Sequence, residues 1–235
     1  DLLAVQSISY ESQKYGPSNY AIYMNKDYGN VKGYTFSLTK RYDPISKTSA
    51  FVDYTYQVTE GNSVNSGSFY YNALSGEQEE KRIVPLAWDQ RHIFNTNFSV
   101  GDPRNWNLGI ISKLSSGWPY TPNIPDANYV PQPNSGRKPW QWRVDMRIHK
   151  NFKIRNLNYI FYMKVYNLLD RRNERYVFDD TGRAGYTYVF QSTQETQGFK
   201  NHYGEPGVHE WSEYQVRPHY YTAPRSINMG FSVDF

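Results

Sequence analysis

Residues 226–235 read SINMGFSVDF, and their alternation decides the fold class. Ile227, Met229, Phe231, Val233 and Phe235 take one parity; Ser226, Asn228, Gly230, Ser232 and Asp234 take the other. Successive side chains of a strand point to opposite faces, so one face of this segment is wholly apolar and the other small or polar. The pattern recurs upstream. Trp142, Val144, Met146 and Ile148 oppose Arg143, Asp145, Arg147 and His149, and Tyr34, Phe36 and Leu38 oppose Thr35, Ser37, Thr39 and Arg41. Val52, Tyr54, Tyr56 and Val58 oppose Phe51, Asp53, Thr55 and Gln57. Further strands fit around 2–12, 90–100, 106–115 and 158–169, which makes about eight in all.

The connections carry a second signal. Short turns near Asp43–Lys47, Gly101–Asn105 and Lys153–Asn156 alternate with long stretches over roughly 61–87, 116–138 and 171–221. A further connection falls around Gln13–Ser18. Short turns at one end and long loops at the other describe an up-and-down antiparallel meander. The strands are also long for a soluble sheet and suit a tilted bilayer crossing.

Composition points the same way. The chain holds 23 Tyr, 6 Trp and 12 Phe, yet its mean hydropathy is −0.80. An aromatic chain that is polar on average fits a sheet with one apolar and one wet face. The 26 Lys+Arg against 22 Asp+Glu leave a dispersed +4, too weak to indicate nucleic acid. The absence of cysteine removes disulfides, thiolate metal sites and a cysteine nucleophile. No apolar run approaches the roughly 18 residues of a membrane helix.

Alternation by itself leaves a soluble β-sandwich and a transmembrane barrel both open. Three features favour the barrel: charges in mid-strand on the polar faces (Arg143, Asp145, Arg147, Lys164), Tyr and Trp near strand ends, and a last strand that runs to Phe235. A closed barrel also satisfies every backbone group in lipid. Arg41, Asp53, Arg143, Asp145, Arg147, His149 and Lys164 are then expected to face the lumen and to pair across neighbouring strands.

Several tracts go beyond pattern. Residues 29–41 read GNVKGYTFSLTKR, 85–95 read PLAWDQRHIFN and 116–122 read SGWPYTP; Asn134–Ser135, Asp145, NLLD at 167–170 and the terminal Phe235 follow in order. This order and spacing resembles the carboxy-terminal barrel portion of TonB-dependent outer-membrane receptors, over nearly the whole chain. The resemblance implies an all-β, antiparallel up-and-down transmembrane β-barrel of about 22 strands with a plugged lumen, of which about eight strands lie here. It implies energy-coupled uptake of a scarce ligand: a metal chelate such as a siderophore, cobalamin or a carbohydrate. The implied partners are the lipid bilayer and lipopolysaccharide, the barrel-assembly machinery, the ligand, and the TonB complex acting through an amino-terminal part. Residues 1–235 are read as the carboxy-terminal portion of that barrel, without plug domain or energy-coupling box, in the outer membrane of a Gram-negative bacterium. Ile227, Met229, Phe231, Val233 and Phe235 are implied to form the assembly signal.

Candidate chemistry is sparse, and no enzyme or cofactor is expected. Asp89 and His92 are three apart and fall on opposite faces of a strand. Ser115, Ser116 and Gly117 lie in no nucleophile-elbow context. His202, Glu205 and His209, with Glu210 and His219, supply metal-ligating types at spacings that match no ligand motif, so a solvated loop is preferred to a metal site. The loop aromatics Trp118, Tyr120, Trp140, Tyr186, Tyr188, Tyr203, Trp211 and Tyr214 offer flat surface for a ligand or for the headgroup zone. Arg137, Lys138, Arg171, Arg172 and Arg175 flank them and suit an anionic ligand or lipopolysaccharide phosphate equally. The ligand-contact set expected is Trp118, Tyr120, Trp140, Arg137, Arg172, Tyr203 and Trp211. The alternative reading is a self-contained small outer-membrane barrel, an adhesin or structural surface protein, in which the strand at 2–12 pairs with that at 226–235. An outer-membrane hydrolase and a soluble ligand-binding sandwich complete the alternatives.

Replacing Phe235 with Ser is expected to lower the amount of chain assembled in the outer membrane, measured by membrane fractionation. Normal insertion would remove the terminal-signal reading.

Overall fold

The computed structural model describes residues 3–12, 16–25, 28–62, 82–123, 131–155, 157–188 and 217–234. β1 (Leu3–Ser12) and β2 (Gly16–Asn25) form an antiparallel hairpin of their own. β3 (Gly29–Asp43), β4 (Thr48–Gly61), β6 (His92–Asp102), β7 (Trp106–Ser115), β10 (Gln141–Ile154), β11 (Leu157–Tyr166) and β12 (Ser226–Asp234) form one antiparallel sheet in which chain neighbours are spatial neighbours. β5 (Val84–Pro85) adds two residues beside β4. β8 (Pro119–Tyr120) and β9 (Gly136–Arg137) pair within a loop. The described residues include no α-helix, only a 3-10 turn at Pro218–Tyr220.

The eight expected strands are all present, and β2 is an addition. Its GPSN opening reads as a turn and its apolar residues do not alternate, so the period-two signal is silent there. A larger difference concerns closure. β3 and β12 are the two edges of the main sheet, and β1 pairs with β2, so the described strands make an open meander and no barrel. Closure on the strand at 2–12 is not made: among the described strands β1 pairs only with β2, and β12 only with β11.

Register carries the apolar parity across every junction. One row runs Ala50, Phe98, Ile110, Met146, Val165 and Ile227, and the next runs Val100, Leu108, Ile148, Met163 and Met229. On the opposite face lie Ser37, Asp53, Asn95, Lys113, Arg143, Arg147 and Lys164. Phe51 and Ile111 depart from the pattern and sit on the polar face.

Protein leaves most of the apolar face open, most fully at the edge strands β3 and β12, while Val144 and Val165 in between are buried among their neighbours. Phe36 is 67%, Leu38 72%, Met229 65% and Phe231 69% exposed. The buried apolar residues lie mostly beyond the sheet's loop end: Val84 and Leu86 after β4, Val177 and Ala184 after β11. The polar face is concave. Thr39, Ser49, Asn97, Asn107, Arg147 and Lys164, from six successive strands, line one hollow of about 610 Å³. Laid flat, six strands would spread over about 24 Å, so the sheet must curl to bring them round one space.

All three tight turns lie at one end. In the β3–β4 turn the Asp43 carboxylate accepts from the backbone N–H of Ile45 and Ser46, both at 3.1 Å, and Lys47 takes a left-handed φ of 52°. In the β6–β7 turn Asp102 accepts from Arg104 N–H at 3.0 Å. Gly101 precedes it at φ 130°, where an added Cβ would lie 2.3 Å from the Trp106 carbonyl. Arg155, at φ 55°, opens the turn between β10 and β11. These geometries favour small or turn-forming residues and fix the register of each hairpin.

Candidate functional site

The loop end is built on a buried carboxylate. Asp89, from the PLAWDQRH tract, is 0% exposed. Its carboxylate accepts from the Thr59 backbone N–H at 2.8 Å, from Arg91 Nε at 2.8 Å and from Arg137 Nη2. Arg137 Nη1 also donates to the Asp89 carbonyl at 2.6 Å, while Arg91 reaches Glu60 at 3.6 Å. Two guanidinium groups thus meet two carboxylates, and the knot joins β4, the 85–91 segment and β9. A buried carboxylate is tolerable only when paired and hydrogen-bonded in this way.

Asp89 and His92 do not act on one another. His92 Nδ1 lies 2.9 Å from the Tyr54 hydroxyl, and its ring stacks on Trp140 at 5.6 Å between centroids. The SGWPYTP tract crosses β9 closely. A Cβ on Gly117 would lie 1.7 Å from the Lys138 carbonyl, and the Lys138 N–H donates to the Trp118 carbonyl at 3.0 Å. Gln90 Nε2 ties this segment down through Ser115 Oγ at 3.1 Å and the Ser116 carbonyl at 3.0 Å.

NLLD is a second knot. Asn167 and Asp170 take left-handed φ values of 53° and 50°. Asn167 Nδ2 donates to the Arg171 and Ala223 carbonyls at 3.1 Å, and its N–H donates to Asp145 at 2.8 Å. Asp170 accepts from the Arg225 N–H at 2.8 Å, so the motif ties the long 167–225 connection to the start of β12. Asn173 closes the group by bonding both backbone groups of Trp142 at 2.9 Å.

Around these knots the expected contact residues take separate positions. Trp118 lines a rim hollow of about 370 Å³ with Lys113, Gln141, Arg143 and Ser226. Tyr120 packs over Gly136 and Gly182, and burial raises its hydroxyl pKa above the ordinary value. Trp140 covers His92, and Arg137 is held by Asp89. Arg172 lines another loop hollow with Arg217 and Tyr221. Lys138 donates to the Arg175 carbonyl at 3.1 Å, and burial holds its ammonium below the usual pKa. Tyr203, Trp211 and Tyr214, the metal candidates His202, Glu205 and His209, and Phe235 lie outside the described residues. Among the described residues no three His, Asp or Glu side chains converge as a metal site.

On the concave wall the expected ladder of cross-strand charge pairs is replaced by two other arrangements. Arg143 Nε pairs with Asp145 at 2.9 Å along its own strand, and Asp53 accepts from Ser37 at 2.8 Å and Asn95 at 3.4 Å. Across strands the register sets like charges together: Arg143 opposite Lys113, and Arg147 opposite Lys164. Strand-by-strand reading misses this, because which charges meet depends on register between strands. Lys113 was legible as a polar-face residue only once β7 was aligned on β10.

Replacing Asp89 with Ala should lower stability by about 1–3 kcal/mol, because it takes the shared buried acceptor from the Thr59 N–H and from two partly exposed guanidinium groups. Thermal unfolding checks this; a loss within about 0.5 kcal/mol, the size of a bland surface change, would refute the knot. Compared with family models, curated proteins and solved structures, the chain has no significant match.

Proposed function

We propose that this chain is the carboxy-terminal wall of a TonB-dependent outer-membrane receptor, contributing strands, surface loops and an assembly signal to energy-coupled uptake of a scarce ligand. The observation that carries the reading is the largely apolar face that extends over seven strands with no second layer of protein on it among the described residues. In water such a face is an aggregation surface; in a bilayer it is the required one.

Its dimensions suit a membrane. Tyr34, Tyr56 and His92 form an aromatic row at the loop end, backed by Phe36, Tyr54, Phe94 and Trp142. Trp106, Phe161 and Phe231 form another at the turn end. The strand from His92 to Asp102 runs about 33 Å at about 3.3 Å per residue. Tilted by about 40°, it spans about 25 Å of height, the apolar band of an outer-membrane barrel. Between the rows the one charged side chain on this face among the described residues is Lys40. Its Nζ donates to Ser46 Oγ at 3.1 Å and to Thr48 Oγ1, so the charge is drawn towards the turn end.

The open edges support a share in a larger barrel, since β3 and β12 each leave one side unpaired among the described strands. The small-barrel alternative needs β1 against β12, a pairing neither strand makes here. On the proposed reading the short turns face the periplasm. The loops with Trp118, Tyr120, Trp140, Arg172, Tyr203 and Trp211 face outward to ligand and lipopolysaccharide. The barrel-assembly machinery would read Ile227, Met229, Phe231, Val233 and Phe235. A plug and energy-coupling segment would come from sequence upstream, and no bond chemistry is asked of these residues.

Two experiments test this. The intact mass of the native polypeptide from an outer-membrane fraction should be roughly threefold that of this chain, as a barrel of about 22 strands with a plug requires. A mass near that of these 235 residues would leave a small barrel and no importer. Met146→Lys, at mid-height on the apolar face, should cost about 2–4 kcal/mol, whereas Ser232→Lys on the polar face should be nearly neutral. Equal penalties in a detergent-to-lipid folding titration would contradict the membrane reading. Phe231 sits in the turn-end row beside Lys150 and Trp106, so Lys is better tolerated there than at Met146.

A further inference from the structure

We propose that the concave wall holds a binding site for a small polyanion, a molecule with two or more carboxylate or phosphate groups, centred on Arg147 and Lys164. The two residues are register partners on β10 and β11. Directly opposite positions hold their Cβ atoms about 5 Å apart, and like charges so placed destabilise a sheet unless a counter-charge sits between them. Among the described side chains the one carboxylate lining this hollow is Asp145, two residues along β10 from Arg147 on the same face. Its Oδ1 accepts from Arg143 Nε at 2.9 Å and from the Asn167 N–H at 2.8 Å, so its single charge is shared with a third cation and leaves Arg147 and Lys164 in excess. Asp53 lies on β4, three strands from β10, and accepts from Ser37 and Asn95. Arg147 makes no ion pair or hydrogen bond among the described residues, and Lys164 makes only a cation–π approach to Tyr162 at 6.0 Å.

The space is suitable as well as the charge. Arg147 and Lys164 line the 610 Å³ hollow together with Asn97, Asn107 and Tyr166, which add neutral polar groups. One Arg fork and one ammonium at this distance match a dicarboxylate or a diphosphate, with the guanidinium taking two oxygens. Four residues along β10, about 13 Å away, Arg143 faces Lys113 in a second like-charged pair. That pair lines the rim hollow with Trp118, so the cations form a stripe from the loop end down the wall.

That the anion is cargo rests on the importer reading; that it binds rests on the wall alone. The test is calorimetric titration of the full native polypeptide with citrate and, separately, with pyrophosphate, at low and high salt. Binding should be seen for at least one probe, which tells carboxylate from phosphate preference, and should weaken with salt. The double variant Arg147→Gln, Lys164→Gln should bind at least about tenfold more weakly, since two charge-assisted contacts are lost. The charge-conserving swap Arg147→Lys, Lys164→Arg should keep most of the binding, which separates a lost contact from a misfolded wall. Lys32→Gln with Arg155→Gln, which removes two cations outside the hollow, should change nothing. Absence of binding by the native protein, or unchanged binding by the double variant, overturns the site; an acidic segment of the longer chain seated on the stripe would give the former. If binding holds while the protein is found outside the outer membrane, the importer reading falls and the anion site stands.

Discussion

A slip of one residue in any of the six pairings of the main sheet would turn that strand's apolar side chains onto the wet face. Every larger feature depends on that constraint. With register kept, Met146 meets Ile110 and Val165, an apolar row runs unbroken from Ala50 on β4 to Ile227 on β12, and most of the wall's cations gather on the other side. Three tight turns hold the register at one end. Two buried polar knots, around Asp89 and Asn167, hold it at the other.

The two ends are stabilised by different physics. At the turn end, backbone geometry suffices: Asp43 and Asp102 bond to N–H groups two or three residues on. At the loop end the connections are long, and there is little apolar surface to collapse. Val84, Leu86, Val177 and Ala184 are a small core. Asp89, Gln90, Asn134, Asn167 and Asn173 are buried with them and fasten loop backbone by specific hydrogen bonds. Asn134 Nδ2, for example, donates to the Pro85 carbonyl at 2.7 Å, across 49 residues of chain. The tracts PLAWDQRH, SGWPYTP and NLLD are largely these fasteners, and their residue types follow from that task. Arg137 belongs to them, since both of its terminal nitrogens are committed to Asp89.

The concave wall contrasts with both ends. Its neutral residues find partners: Thr35 with Thr55 at 2.9 Å, and Ser99 with Asn107 at 2.7 Å. Its cations largely do not, and the register that aligns the apolar face is what forces Arg143 against Lys113 and Arg147 against Lys164. A sheet that keeps such pairs gives up some stability on its wet side. Water on the concave side softens that cost by screening, and the proposed anion would remove it.

Much of the architecture was legible in the sequence because period two is a local property: each residue's parity depends only on its neighbours. SINMGFSVDF, the Arg143–His149 segment and the contrast of short with long connections therefore disclosed the strands, their two faces and the up-and-down order. Turn chemistry at Asp43 and Gly101 was readable for the same reason. The tertiary structure alone decided what lies far apart in the chain. Asp89 finds Arg137 only because β8 and β9 fold back over the 85–91 segment. Lys164 finds Arg147 only through the β10–β11 register, and the strand at 2–12 bonds within its own hairpin instead of closing the sheet. Composition shows that cations are present, but their mutual distances depend on register and loop path, and those are properties of the assembled sheet.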